Sequence, residues 1–201
     1  MRSPEEIRER FDKIQEQVGA SVTVVAATKY VSVDEMSVLA EAGIELVGEN
    51  RAQDLAAKHA RYAKSFRWHF IGHLQSRKAP QVSELCELCH SLASESALAR
   101  LTIPALVEVN LSGEESKSGV SPAQLDGFLA RCAEAGVEVR GLMTMPPLAG
   151  DPEVSRPYFR QLRELAERLS LTELSMGTSQ DYLIAAEEGA THVRVGSALW
   201  S

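Results

Sequence analysis

Short apolar runs alternate with helical patterns along the whole sequence, and this alternation limits the possible folds more than any other feature. The clearest run is V-T-V-V-A-A-T-K at 22–29, where β-branched and apolar residues predict a strand buried on both faces. Seven further strands are predicted at 45–47, 67–71, 87–92, 105–110, 137–143, 173–176 and 192–196. Strands that alternate with helices form βαβ units and a parallel sheet.

N-cap signals open several of the intervening helices. Ser3-Pro4-Glu5-Glu6 combines a capping serine, an early proline and a glutamate that completes a capping box. A second capping box at 32–35 predicts a helix through about Ala42, and 121–124 caps a later one. Residues 154–169 form another helical pattern. Each predicted strand is therefore followed by a segment that can return the chain to the same edge of the sheet.

Two architectures are compatible with eight such units, a closed (β/α)8 barrel and an open doubly wound sheet. The 201 residues suit one domain, and eight units in that length favour the barrel. An open sheet more often carries a glycine-rich turn after its first strand, whereas T-K-Y-V-S follows here and contains no glycine. We predict one domain, residues 1–201, that is a single TIM-type (β/α)8 barrel.

Composition narrows the possible partners and the compartment. The net charge of -7 argues against a general nucleic-acid binder, which needs basic residues to neutralise phosphates. No stretch approaches the ~20 apolar residues of a membrane span, and the N-terminal segment is no signal peptide. Three cysteines give no disulfide framework and fit a reducing compartment. We expect a soluble cytoplasmic protein with no membrane or nucleic-acid partner.

Lys29 is the first candidate for chemistry, because functional groups of such barrels lie at the carboxyl ends of the strands. It ends the first predicted strand and shares a face with Ala27 and Val25. If that face is the inner one, the amine points into the barrel mouth, and Tyr30 takes the opposite face. The alternative is a solvated lysine at the end of a strand.

The loops after strands seven and eight resemble a phosphate site in composition. Gly177, Thr178 and Ser179 follow strand seven, and Gly196 and Ser197 follow strand eight. Such loops often hold phosphate in these barrels, and Ser179 could also cap the next helix. The alternative for each loop is ordinary turn and cap chemistry.

Closure of the barrel would place strand eight beside strand one, and so Lys29 beside these loops. An amine next to a phosphate cradle fits pyridoxal 5'-phosphate (PLP), which carries an aldehyde and a phosphate. Arg194 faces the same way as Gly196 and could meet the pyridine nitrogen, where its permanent charge disfavours protonation of the ring. Pairing of Arg194 with a carboxylate at the barrel bottom is the alternative.

The sequence resembles the pyridoxal phosphate homeostasis proteins, which look like the barrel domain of alanine racemase (PLP fold type III) standing alone. The matching stretches span nearly the whole chain: V-V-A-A-T-K (24–29), G-E-N-R-A-Q-D-L (48–55), W-H-F-I-G-H-L-Q-S-R-K (68–78), V-E-V-N-L-S-G-E-E-S-K-S-G (107–119), G-L-M-T-M-P (141–146), L-S-M-G-T-S-Q-D (174–181) and G-A-T-H-V-R-V-G-S-A-L-W (189–200).

The resemblance implies a role for each candidate residue. Lys29 would form the internal aldimine and Arg194 would meet the pyridine nitrogen. The cofactor-binding set it implies is Lys29, Asn50, Met176, Thr178, Ser179, Arg194, Gly196 and Ser197. In this set Ser179, Gly196 and Ser197 would hold the phosphate, Asn50 would lie near the ring O3', and Met176 and Thr178 would lie near the phosphate loop.

Two features depart from the family pattern. Arg77 stands where the family more often has asparagine, and the sequence stops at Trp200-Ser201 where relatives usually continue. We therefore expect the end of strand eight to be less well braced. His69 and His73 lack a convincing metal spacing and are interpreted as core or loop residues.

Three functions remain open at this stage. The first is a carrier that sequesters PLP and exchanges it with PLP-dependent apoenzymes or PLP-producing enzymes. The second is a PLP-dependent amino-acid racemase, which needs a second base opposite Lys29 that no tyrosine obviously supplies. The third is a barrel that binds another phosphorylated metabolite without a covalent bond. We expect the carrier, without strong catalytic activity, and we expect a monomer because the second domain of racemases is not seen.

Overall fold

The computed structural model describes residues 2–114 and 117–200, and its centre is a closed barrel of parallel strands. The strands β1 to β8 are Thr23–Ala27, Leu46–Glu49, Arg67–Phe70, Leu88–Leu92, Ala105–Glu108, Val139–Met143, Glu173–Thr178 and His192–Val195. They follow one another in chain order, and β8 closes the barrel by pairing with β1. The predicted (β/α)8 barrel is confirmed, and the open sheet is wrong.

Helices surround the barrel and connect successive strands. The helices α1 to α9 are Pro4–Val18, Met36–Glu41, Ala52–Tyr62, Ala79–Leu85, Glu95–Leu98, Leu125–Glu134, Arg156–Arg168, Tyr182–Glu187 and Ser197–Trp200. Short 3-10 turns at Ser76–Lys78, Pro122–Gln124 and Pro152–Ser155 lead into α4, α6 and α7. Within the described part of the chain, none of these helices has the length and apolar character needed to span a bilayer.

The two predicted capping boxes both form, with different results. Ser3 Oγ accepts the N–H of Glu6, and the Ser3 N–H donates to Glu6 Oε2 at 2.9 Å, so α1 begins where predicted. Ser32 and Glu35 make the same reciprocal pair. There, however, the Met36 N–H bonds only three residues back, to Val33, so a tighter turn precedes α2.

Most apolar side chains pack between the barrel and its helices, and fewer fill the barrel itself. Leu88, Leu106 and Met143 form a separate buried cluster on β4 to β6. Successive residues of a strand point to opposite faces, so His90 and Glu108 lie on the same face as Leu88 and Leu106. The barrel interior therefore combines apolar and ionisable side chains.

The end of β8 is braced by the last helix, α9, contrary to expectation. Leu199 is fully buried, and the Trp200 indole Nε1–H donates to the Ala27 carbonyl at 3.0 Å. Arg10 of α1 also donates to the Ala198 carbonyl. The expectation of weak bracing was wrong because residues 197–200 form a helix that packs back onto the end of β1.

Candidate cofactor site

A cavity of about 280 Å³ opens at the carboxyl ends of β1, β7 and β8. Its lining residues are Ala27, Lys29, Tyr30, Asn50, Ile71, Met145, Leu148, Thr178, Ser179, Gln180, Arg194, Gly196 and Ser197. The cavity therefore brings together seven of the eight residues predicted to bind a cofactor. Met176 is the exception, since its side chain is fully buried in the core outside this cavity.

Lys29 enters the cavity from the turn that follows β1. The strand ends at Ala27, Thr28 is fully buried, and the Lys29 side chain is exposed at the cavity wall. Its ammonium lies 4.9 Å from the centre of the Tyr30 ring, which is itself 80% exposed. The prediction that Tyr30 faces away from Lys29 is wrong, because strand alternation does not continue past Ala27.

The β7 and β8 loops are joined through one hydroxyl. Ser179 Oγ accepts the backbone N–H groups of Gly196 at 3.0 Å and Ala198 at 3.3 Å. The N-cap residue of α8 is Asp181, so Ser179 does not cap that helix as expected. Asp181 accepts the N–H and the hydroxyl of Thr178 instead. The two predicted phosphate loops are thus parts of one connected structure.

Gly177 allows this loop to turn sharply. Its φ is +90°, a left-handed conformation that side-chain-bearing residues rarely adopt. A Cβ at this position would lie 2.5 Å from the Ala185 Cβ. Glycine is therefore required both by the backbone conformation and by the close approach of α8.

Arg194 rises from β8 below the cavity and is buried. Its guanidinium donates to Ser175 Oγ at 2.5 Å, to the Thr144 carbonyl at 3.1 Å and to the Met145 sulfur at 2.8 Å. Among residues 2–114 and 117–200, no carboxylate is within ion-pair distance of it, so the alternative of a paired arginine is wrong. Burial lowers the pKa of Arg194 to about 10, against the opposing effect of Glu108. It remains a cation at neutral pH.

A cluster of three histidines lies behind Arg194 inside the barrel. His90 Nδ1 is 2.7 Å from Ser175 Oγ, and His90 Nε2 is 2.9 Å from His69 Nδ1. The His192 ring centre is 5.4 Å from that of His90. A guanidinium can only donate, so Ser175 accepts from Arg194 and can pass its own hydroxyl hydrogen to His90. The hydrogen bonds therefore have a defined donor direction, from Ser175 through His90 to His69.

Burial keeps these imidazoles neutral. It lowers the pKa of His69 to about 3 and that of His192 to about 4, and it holds the pKa of His90 well below its usual range. The neighbouring imidazoles and arginines act in the same direction. A neutral histidine cluster can accept a hydrogen bond from Ser175, which contacts Arg194, without neutralising the charge of the Arg194 guanidinium.

Asn50 lines this cavity and two neighbouring ones, and its side chain carries a buried oxygen. Its Oδ1 is buried and has no hydrogen-bond donor among the residues that the structure describes. A buried acceptor left unpaired is costly. With the Lys29 amine, the Arg194 guanidinium and the Ser179 and Ser197 hydroxyls, the cavity fits a small phosphorylated aromatic aldehyde that carries a hydroxyl group.

Several lining residues were not predicted from sequence. Ile71, Met145, Leu148 and Gln180 lie in loops after β3, β6 and β7. The segment G-L-M-T-M-P at the end of β6 is one of the stretches that resemble the family. Nothing in it indicates that the Met145 sulfur contacts Arg194. His73, in the loop after β3, lines a neighbouring cavity of about 210 Å³ instead.

Known proteins match this chain over nearly its full length. A profile described as "Alanine racemase, N-terminal domain" matches residues 3–201. The pyridoxal phosphate homeostasis protein of Aquifex aeolicus is 37% identical, with 96% of this chain and 94% of that protein aligned. The solved structure of PipY from Synechococcus elongatus without PLP has a TM-score of 0.90 at 33% identity, covering 97% of this chain and all of PipY.

PipY has also been solved with PLP bound, and that structure matches with a TM-score of 0.87 at 32% identity, again over 97% of this chain and all of PipY. The chain belongs to the pyridoxal phosphate homeostasis proteins, within the family of the alanine racemase N-terminal domain.

Proposed function

We propose that this chain binds PLP covalently through Lys29 and serves as a cytoplasmic carrier that sequesters and delivers the cofactor. The observation that carries the proposal is the meeting of Lys29, Arg194 and the Ser179–Ser197 loops in one cavity. The Aquifex relative is named for pyridoxal phosphate homeostasis, and PipY has been solved with PLP bound, which supports the same ligand. The three free cysteines fit a reducing compartment.

The predicted cofactor-binding residues have separate tasks in this proposal. Lys29 supplies the amine, Ser179, Gly196 and Ser197 hold the phosphate, and Thr178 lies near the phosphate loop. When bound, PLP would supply an electron-withdrawing ring. Asn50 lies near the ring O3', and Met176 supports the phosphate loop from the core.

Arg194 gives the main argument against strong catalysis. A cation fixed at the ring nitrogen keeps that nitrogen unprotonated, so the ring withdraws electrons less strongly. A racemase also needs a second acid–base group on the face opposite Lys29. Tyr30 is the one tyrosine lining the cavity among the described residues, and its ring lies against the Lys29 ammonium, 4.9 Å from ring centre to nitrogen.

Delivery follows from reversible attachment at an open mouth. The Lys29 turn is exposed, so an incoming amine or water can reach the covalent bond. We propose PLP-dependent apoenzymes and PLP-producing enzymes as the recipients and donors, and a monomer as the working form. An absorbance spectrum of PLP-loaded protein tests attachment directly, because a lysine-linked PLP absorbs in the visible. A phosphorylated ligand held without a covalent bond would give no such band.

The Ser179 hydroxyl should matter only for ligands that carry a phosphate. Ser179→Ala removes the acceptor that joins the Gly196 and Ala198 N–H groups, so the two loops lose their connection. We expect the Kd for PLP to rise about 10- to 100-fold, since a hydrogen bond to a charged group contributes ~1.5–3 kcal/mol. Affinity for pyridoxal, which has no phosphate, should change less than about twofold. Titration calorimetry measures both.

Ser83→Ala is the matched control for this experiment. Ser83 Oγ accepts the N–H of Thr102 at 3.0 Å, far from the cavity, so a similar bond is lost without contact with the site. Equal weakening of PLP and pyridoxal by Ser179→Ala would contradict the phosphate role.

The loaded protein should show no enzyme-like racemisation. We expect exchange of the Cα proton of L-alanine for deuterium to stay well below ~1 s⁻¹, because one missing acid–base partner removes ~10²–10⁴-fold of rate. The measurement is NMR exchange combined with chiral analysis of the product. Fast racemisation that is lost in Lys29→Ala and in Tyr30→Phe would establish the racemase instead.

A further inference from the structure

The backbone just before Lys29 is held by side chains from two other elements. The Ala27 carbonyl accepts the Trp200 indole N–H at 3.0 Å, and the Thr28 carbonyl accepts the Lys58 ammonium at 2.8 Å. The Thr28 N–H donates to the Gly48 carbonyl at 3.0 Å. Every polar backbone group of Thr28 is therefore engaged, although the strand has already ended.

Lys58 belongs to a buried ion pair with Glu49. The side chains are 4% and 0% exposed, and Glu49 Oε1 accepts both the Lys58 ammonium and the Thr28 hydroxyl, the latter at 2.5 Å. Glu49 lies at the end of β2 and Lys58 on α3. The pair thus connects two neighbouring elements to the one residue that precedes Lys29.

Stability alone does not explain this pair. Well-packed apolar residues often stabilise a protein as much as a buried ion pair does, since both charges must leave water. The second Glu49 oxygen, Oε2, is buried and has no hydrogen-bond partner among the described residues. The hydrogen bonding of this cluster is therefore incomplete as well. What the pair does provide is a fixed direction for the Thr28 peptide.

We propose that Lys58 and Glu49 are positioning residues, which hold the Thr28 peptide so that the Lys29 amine is directed at the cofactor aldehyde. The inference rests on the proposed attachment at Lys29. The Lys29 ammonium contacts the Tyr30 ring and makes no hydrogen bond or ion pair with the described residues. Its direction is therefore inherited from the backbone at Thr28.

The step that needs this direction is the formation of the covalent bond. The unprotonated Lys29 nitrogen bonds to the aldehyde carbon, and the aldehyde oxygen leaves as water with the two amine hydrogens. The phosphate loops hold the other end of the ligand, so the reacting atoms meet only if Lys29 starts from the correct place. A misplacement of about 1 Å can cost ~10²-fold in a reaction between held groups.

The double variant Glu49→Gln/Lys58→Met tests this proposal. It removes both charges together, leaves no unpaired buried ion, and keeps an acceptor for the Thr28 hydroxyl. The affinity is measured for PLP and for pyridoxine 5'-phosphate, whose CH2OH group cannot form the covalent bond. We expect the ratio of the two affinities to fall about 10-fold or more. Affinity for pyridoxine 5'-phosphate should stay within about twofold.

Glu188→Gln is the matched control. Glu188 is a buried carboxylate bound by Arg156 and Arg160 between α7 and α8, away from β1. It should lower the unfolding temperature without changing the affinity ratio. An unchanged ratio in the double variant, or equal loss of both ligands, overturns the positioning role.

Two further variants distinguish failure of the proposed Lys29 attachment from failure of the proposed positioning role. Lys29→Ala gives the ratio expected with no covalent bond, and a wild-type ratio equal to it would refute the proposed attachment rather than the positioning. If the double variant does not fold, Thr28→Val decides, because it removes only the Thr28 hydroxyl, which lies 2.5 Å from Glu49 Oε1 and 3.3 Å from the Gly48 carbonyl. A lower ratio in Thr28→Val then supports the proposal, and an unchanged ratio overturns it.

Discussion

Replacing Lys29 with alanine should abolish covalent attachment of PLP while leaving the barrel folded. The Lys29 side chain is exposed and makes a cation–π contact with the ring of Tyr30. No hydrogen bond between strands depends on it. Surface substitutions of this kind usually change the free energy of unfolding by less than ~0.5 kcal/mol. The variant should lose the visible absorbance band completely and keep weaker binding through the phosphate loops.

Borohydride reduction followed by peptide mass mapping locates the attachment point. The adduct of the wild-type protein should lie on Lys29 and be absent from Lys29→Ala. Lys117 and Lys78 line neighbouring cavities and serve as internal controls in the same digest. A main adduct on either of them would contradict the assignment.

The fold could be predicted because each strand carries its own signal. Residues 22–29 are mostly β-branched and apolar, as expected for a parallel strand covered on both faces, and β1 lies within this segment at Thr23–Ala27. The error lay at the end of the strand. Hydrophobic pattern could not show that Thr28 turns away to meet Glu49, and this turn brings Tyr30 beside Lys29.

The cofactor cavity could be predicted in part, for a related reason. Lys29, Ser179 and Ser197 follow strand ends, and all strand ends of a barrel meet at one face. The histidine cluster gave no such signal, because His69, His90 and His192 come from β3, β4 and β8. They meet only through the stagger of the closed barrel, which includes register shifts beside β4 and β7.

This histidine cluster should make the protein sensitive to mild acid. The folded pKa values of His69 and His192, about 3 and about 4, lie below the ordinary value of 6.5 expected in the unfolded chain. Between these limits the unfolded state binds more protons than the folded state, so stability rises with pH and is lost as pH falls below about 6.5. Glu108 acts in the opposite direction, because burial raises its pKa.

The expected loss is large for a single domain. At pH 5 a histidine with a folded pKa of about 3, such as His69, contributes a loss of about 2 kcal/mol relative to pH 7, and the lowered pKa of His90 acts in the same direction. The total stability of such a domain is only ~5–15 kcal/mol. Urea unfolding at pH 7, 6 and 5 measures the effect, and a free energy of unfolding that is constant over this range would contradict it.

Substitution of His192 identifies the cluster as the cause. His192→Leu should reduce the difference in unfolding free energy between pH 7 and pH 5 by about 1–2 kcal/mol, less than a fully buried histidine because His192 is partly exposed. His73→Gln in the exposed β3 loop is the control, since His73 does not touch the cluster.

The cluster also holds Ser175 against Arg194, so protonation of His90 would place a second cation behind the guanidinium. Loss of PLP affinity should therefore accompany the loss of stability in acid.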